Sequence, residues 1–366
     1  MNSAAEPTTG PNTGPTTGPT TRPAPTVSVV IPNYNYEKTL RACLESVYAQ
    51  THRPFEVIVV DDASTDRSRD IARRFPCTLI EQPVNRGVSA ARNAGAALAR
   101  GEILFFLDSD VGLAPDALAC AIEVLRADPH CVCVYGIYGK RPLIDDGPVE
   151  WYRILHLHHA LVRGVGPTAT AVFALAALPR AVFDEVGPFD ENLRAAEDDE
   201  YSDRLLAHGR IRLAGTVVGH HDEADRLPAA LAEQYKRAQL MPFAIRNRMR
   251  RDALKVNRGT GVAAAALTLA TAPLPLLWPA LAVVPPAFLC LFAIADPGLA
   301  RFVLREKGPA FLCFFIVTHL MVNLALVAGA ATGWLRAAVN PSFGPSARRG
   351  RPAGVHRPDP RGGATP

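Results

Sequence analysis

The sequence predicts an α/β fold, a mostly parallel sheet with helices on both faces, followed by carboxy-terminal transmembrane helices. Three observations carry that prediction. Short apolar runs alternate with helix-period segments through the first half of the chain. Carboxylates stand directly behind several of those runs, as in Asp61-Asp62 and Asp108-Ser109-Asp110. Beyond residue 260, two long stretches are almost free of charge.

The elements follow in order. Val27–Ile31 reads as a strand stopped by Pro32, and Glu37–Gln50 as a helix with Leu40, Leu44 and Val47 on one face. Val57–Val60 is a second buried strand, and Asp66 can cap the helix that carries Ile71, Ala72 and Phe75. Thr78–Ile80 is a short third strand. An alanine-rich helix from Ser89 to Ala99 closes before Gly101, and Ile103–Leu107 is the fourth strand. A helix after Pro115, a strand Cys131–Ile137 and a helix Trp151–Val162 come next. Thr170–Leu175 is strand-like, Arg180–Val186 and Asp199–Ala207 are helical, and Ile211–Val218 is the last strand.

Residues 228–258 read as an amphipathic, basic helix or helix pair broken at Pro242. Thr260–Ala295 then matches one and a half to two membrane spans at ~20 residues each. Its five prolines allow a hairpin, a kinked span or a re-entrant segment. Pro309–Leu335 is a further apolar run, interrupted by His319. Arg246, Arg248, Arg250, Arg251, Lys255 and Arg258 precede the first run, a placement that favours anionic lipid on the cytoplasmic side. No aromatic platform accompanies them, so nucleic acid is not an expected partner.

The Pro/Thr/Gly tract 1–26 cannot bury enough surface to order itself. It has no apolar h-region and is not read as a secretory signal. The Arg-rich segment 339–366 is of the same kind. The seven cysteines form no C-x-x-C pair, which suggests reduced, buried thiols.

In open α/β sheets, ligands bind beyond the carboxyl ends of the strands. There the chain places Pro32-Asn33-Tyr34-Asn35, Asp61-Asp62-Ala63-Ser64 and Asp108-Ser109-Asp110. Asn85-Arg86-Gly87 through Arg92-Asn93 opens the third helix. Gly187-Pro188-Phe189-Asp190 and Glu197-Asp198-Asp199-Glu200 come later. Tyr34 can cover a base with its ring or pack as a loop aromatic. Asp62 can accept hydrogen bonds from a ligand or shape its own turn. Arg92 can meet phosphate or lie on a helix surface. The acidic run at 197–200 also suits a helix's first turn.

Taken together, these motifs resemble the family 2 glycosyltransferases of the GT-A fold class, over about residues 27–220. The resemblance implies a nucleoside-diphosphate sugar donor, with a UDP-sugar favoured. It implies nucleotide-sugar contacts from Pro32, Tyr34, Glu37, Asp62, Arg92 and Asp108. Asp110, Asp108 and His220 would hold Mg2+ or Mn2+, with the neighbouring His221 leaving the register open. Asp198 would be the general base of an inverting reaction, supported by Glu197. The acceptor would be a glycan or lipid-linked molecule in cell-envelope glycan synthesis. The resulting organisation is a tail 1–26, a catalytic domain 27–225, a basic juxtamembrane segment 226–259, a transmembrane region 260–338 of two to three spans, and a tail 339–366. The protein is expected to be integral to a membrane, with its catalytic domain cytoplasmic and membrane lipid as a partner.

Gln234 and Arg237 have the spacing of a processive-synthase signature, but Ala238 stands where that signature has Trp, which favours single-sugar transfer. His156, His158 and His159 lack a completing ligand and read as a surface or acceptor-side helix. A sugar nucleotidyltransferase would carry a Gly-rich loop after its first strand, where this chain has Pro-Asn-Tyr-Asn. A non-catalytic nucleotide-sugar-binding membrane scaffold is the other alternative. Retention of both carboxylate pairs counts against it.

Overall fold

The computed structural model describes residues 24–193, 196–242, 256, 259–340 and 343–344. The basic cluster from Arg246 to Arg258 lies outside the described residues, as do most of the two expected tails.

The first half builds β1 (Val27–Asn33), α1 (Leu40–Tyr48), β2 (Glu56–Asp61), α2 (Ser68–Ala72), β3 (Thr78–Glu81), α3 (Val88–Leu98) and β4 (Ile103–Leu107). These four strands are parallel neighbours in the order β3-β2-β1-β4, with Ile31 opposite Val59 and Val30 opposite Phe106. Every residue of β1 and β4 is buried, as a strand covered by helices on both faces requires. Gly95 lets α3 close on the sheet, since a Cβ there would overlap Val30 Cγ1.

The second half adds β5 (Val111–Leu113), α4 (Ala117–Ala127), β6 (Cys131–Tyr138), α5 (Pro148–Arg163), β7 (Gly166–Thr168) and β8 (Leu175–Pro179). Then come α6 (Arg180–Val186), α7 (Glu197–Leu205), β9 (Arg210–His221) and α8 (Leu227–Ala238). The sheet continues β4-β8-β6-β9-β5, with β7 on β9. β8, β5 and β7 run against their neighbours, so the sheet is mixed but mostly parallel.

One expected strand shifts. The strand anticipated at 170–175 begins only at Leu175. The Ala171 N–H donates to Ser202 Oγ and the Phe173 N–H to Asp198 Oδ2, so this backbone serves α7 rather than a ladder. The short strands β5 and β7 were not anticipated.

The carboxy-terminal part comprises α9 (Gly259–Thr271), α10 (Leu274–Leu277), a 3-10 turn (Pro279–Leu281), α11 (Val284–Ile294) and α12 (Pro297–Val339). α12 is broken at Gly308, whose φ is 82°, just before Pro309. The stretches Gly259–Leu277 and Pro297–Val339 are long and apolar enough to cross a membrane, their most apolar 18-residue windows having mean hydropathies of 1.6 and 2.3. All seven cysteines are free. Cys290 and Cys313 are exposed rather than buried, because they lie on the outer faces of these apolar helices.

Candidate active site

A cleft of about 560 Å³ opens at the carboxyl ends of β1, β2 and β4. Pro32, Tyr34, Tyr36, Asp62, Arg92, Asp108 and Glu197 are among its lining residues. The Tyr34 ring is 45% exposed on the wall, open to a flat ligand. Ser109 Oγ donates to the Pro32 carbonyl at 2.7 Å, which ties the β4 exit to the β1 exit.

Asp61 and Asp62 divide the work of the β2 exit. Asp61 is a fastener, paired with Arg69 at 2.7 Å and accepting from Asn33 at 3.0 Å. Asp62 turns into the cleft, and its two oxygens accept the Arg86 and Gly87 N–H groups at 2.7 Å each. That grip holds Gly87 at φ 93°, a conformation glycine adopts without strain, and sets the start of α3.

Arg92 is not a helix-surface charge: it is 2% exposed and lies in the wall of the cleft. Its Nη2 lies 3.1 Å from Asp108 and its Nη1 lies 3.2 Å from Asp198, with Glu197 at 3.9 Å. The Phe189 and Phe173 rings lie beneath the guanidinium, at 5.6 and 6.0 Å. One buried cation thus joins the D-x-D carboxylate to the later Glu-Asp pair. Burial pushes the Asp198 carboxyl up to about 6, with Arg92 opposing and Glu197 and Asp108 adding.

Glu37 is a second correction. It is absent from the cleft lining, and its carboxylate accepts from the Arg67 backbone and Nε at 3.0 and 3.2 Å.

His220 is a third. Its Nδ1 faces the Arg141 carbonyl at 3.1 Å, while His221 Nε2 faces Asp110 Oδ1 at 3.7 Å. Successive strand side chains point to opposite faces, so only one histidine of the pair can reach the D-x-D. His221 stacks on Tyr138 at 4.6 Å, and its Nδ1 faces Glu223 at 3.4 Å. Arg153 of α5 donates twice to Glu223, at 2.9 and 2.7 Å. Burial opposes charge on His221, but Glu223 and Asp110 prevail and raise it to about 9. Glu223 is held down to about 2: burial works against this, and His221 and Arg153 outweigh it.

The donor set suits a hard divalent cation. Asp110 Oδ1 is buried without a hydrogen-bond partner. Burial pushes the Asp110 carboxyl up to about 6 against the pull of His221. Among the described residues, the carboxylates Asp108, Asp110, Glu197 and Asp198 outnumber the cations Arg92 and His221 around the D-x-D. Asp146, Glu150 and Asp222 also cluster within 4.8 Å of one another, but Lys38 already bridges Asp146 and Asp222.

Residues 28–187 match the family model for Glycosyl transferase family 2. This stretch belongs to that family. An uncharacterized glycosyltransferase of Haemophilus influenzae is 29% identical over 187 residues, covering 49% of this chain and 62% of that protein. A validoxylamine A glucosyltransferase of Streptomyces hygroscopicus subsp. limoneus is 33% identical, covering 50% of this chain and 49% of that protein. The chain thus spans about half the length of curated relatives it matches. A mannosyltransferase of Pyrobaculum calidifontis, solved with GDP-Man and Mn2+, shares the fold, with a TM-score of 0.52 and 24% identity. That alignment covers 85% of this chain and 87% of the neighbour.

Among the described residues, three non-glycine residues have positive φ: Asn35, Ala63 and Ala196, at 60°, 63° and 62°. All three adjoin site loops, where strained backbone costing about 1–3 kcal/mol each tends to concentrate. Asn next to a cleft Tyr is a legible signal for this, but alanine is not. The histidines of α5 are not on a surface, because α12 covers them. His156 packs 4.7 Å from His319, His158 bonds the Tyr138 carbonyl, and His159 stacks on Phe302. Sequence reasoning missed Arg153, Tyr36 and Glu223. Glu223 follows the histidine pair by two residues, which was its only local signal.

Proposed function

We propose that this protein is an inverting, metal-dependent glycosyltransferase. It would move a sugar from a nucleoside-diphosphate sugar to a membrane-proximal or lipid-linked acceptor in cell-envelope glycan synthesis. The observation that carries the reading is the position of Asp198, half-buried beside the cleft-lining Glu197, raised to about 6, and coupled to Asp108 through Arg92. A carboxylate with that pKa is a competent base near neutral pH.

Tyr34 covers the base of the nucleotide, and Asp62, with Gly87, shapes the turn beside it. Asp198 accepts the proton of the acceptor hydroxyl as that oxygen attacks the anomeric carbon, and direct displacement inverts the centre. Arg92 and Glu197 orient Asp198. Mg2+ or Mn2+, held by Asp110 and Asp108 with His221 adjacent, would offset charge on the departing diphosphate. The apolar helices keep the domain at the membrane, on the cytoplasmic side where nucleotide sugars are made.

The test is a thermal-shift screen of UDP- and GDP-sugars with Mn2+, followed by transfer assays on the stabilising donor. Full activity of both Asp198→Asn and Asp110→Asn would overturn the assignment.

A further inference from the structure

Among the described residues α12 contains the most apolar 18-residue window of the candidate spans and is, by that measure, the first choice for a membrane crossing. Its packing points elsewhere. The segment after Gly308 is about 46 Å long at 1.5 Å per residue. Along that length one face rests first on α5 of the catalytic domain and then on α8. Phe311, Phe315 and Val322 pack with Tyr152 and Leu155 of α5 and Leu231 of α8. Farther along, a Cβ on Gly329 or Gly333 would overlap the carbonyl oxygens of Tyr235 and Gln239 in or beside α8. A G-x-x-x-G face often joins two membrane-spanning helices, but here α8 occupies it. Tyr235 donates to Thr332 at 3.0 Å, and Arg336 to Gln239 at 2.7 Å.

The other end is fixed to the same domain. Lys140 pairs with Glu306, and Lys307 lies over the Trp151 ring. If this segment crossed a bilayer, α8 would be drawn along it with Glu233, Lys236 and Arg237. Each charge at the bilayer centre costs about 2.5–3.5 kcal/mol.

The hairpin of α9, α10 and α11 is placed differently. It meets α12 near its base, where Ala264, Ala265 and Phe292 pack with Leu320 and Leu324. Between residues 266 and 291 no side chain is buried. Leu276, Leu277 and Trp278 at the tip are 87%, 65% and 61% exposed. The tip 274–283 carries no charged, amide or hydroxyl side chain that would favour emergence into water. The return arm Pro279–Ile294 reaches about 24 Å at most as a helix, short of the ~30 Å hydrocarbon core. Asp296, just beyond it, is paired with Arg163 of α5 at 2.9 Å.

We propose that this region is a monotopic anchor whose partner is bilayer hydrocarbon. The hairpin inserts from the catalytic side without emerging, and α12 lies in the membrane plane between the domain and the lipid. The inference concerns membrane geometry and stands whatever sugar is transferred.

The test uses the full chain in sealed phosphatidylcholine–phosphatidylglycerol vesicles, with the catalytic domain outside. In a background with Cys77, Cys120, Cys290 and Cys313 replaced by Ser and only the buried Cys43, Cys131 and Cys133 retained, one accessible cysteine is placed by Ala280→Cys at the tip, Ala338→Cys at the end of α12 or Glu123→Cys as the outside reference. A membrane-impermeant maleimide is supplied outside or sealed inside. Expected are outside labelling of Ala338→Cys and Glu123→Cys, and labelling of Ala280→Cys only after detergent. Failure of Ala338→Cys to react from outside, or reaction of Ala280→Cys from inside, would overturn the proposal. So would release of the protein from the vesicles by alkaline carbonate.

Discussion

The imidazole Nε2 of His221 lies 3.7 Å from the Asp110 carboxylate. Its Nδ1 turns to Glu223, which Arg153 grips with two hydrogen bonds. The relay fixes the ring with one nitrogen toward the D-x-D. A divalent ion bound there would displace the ring's proton, so His221→Ala should weaken Mn2+ binding, measured by titration calorimetry with UDP present. Glu223→Gln should weaken it about 10–100-fold, the range for partners that orient a metal-binding histidine. His220→Ala should change it by no more than about twofold, as for surface substitutions away from a site. Equal losses for His220 and His221 would contradict the assignment.

Among the described residues, Arg92 is the buried cation that meets Asp108, Glu197 and Asp198. Arg92→Met would strand those carboxylates, and breaking a buried pair on one side costs about 3–5 kcal/mol. A lower denaturation midpoint for the full chain in urea is expected. Unchanged stability would mean that the guanidinium is not the clamp.

Asp198 must be deprotonated to act as a base, and its carboxyl is raised to about 6. Activity should thus fall as pH drops through about 6, visible as the acid limb of kcat/KM. Arg92 holds that pKa down, so Arg92→Met should move the limb to higher pH. A limb near the ordinary carboxylate value would remove Asp198 from the role.

Gly95 lies where α3 crosses β1, and a Cβ there would overlap Val30 Cγ1. Gly95→Ala should cost about 1–3 kcal/mol through overpacking, read from a calorimetric melting curve. Because α3 also carries Arg92, Mn2+-dependent donor binding should weaken with it. A neutral outcome would show that Val30 can rotate away.

The amino-terminal strands were legible because each is a short apolar run closed by a polar residue. The cleft's position followed from the strand ends, and Tyr34, Asp62, Asp108 and Glu197 do line it. Glu37 was misplaced because the direction of a loop depends on its partner, here Arg67. The strand expected at 170–175 slipped because its backbone donors are taken by α7, a competition between segments far apart in sequence.

The sequence by itself determined the sheet's first four strands, the rim on which the carboxylates gather and the apolar character of the carboxy-terminal region. Those properties are local, set by side-chain period, strand termini and composition. Only the tertiary structure decided that His221 rather than His220 faces Asp110, that Arg92 joins Asp108 to Asp198, and that α12 rests along the domain. Each depends on which long-range surface a residue meets after folding, and hydrogen-bond and packing complementarity between distant segments leaves no mark in the local pattern.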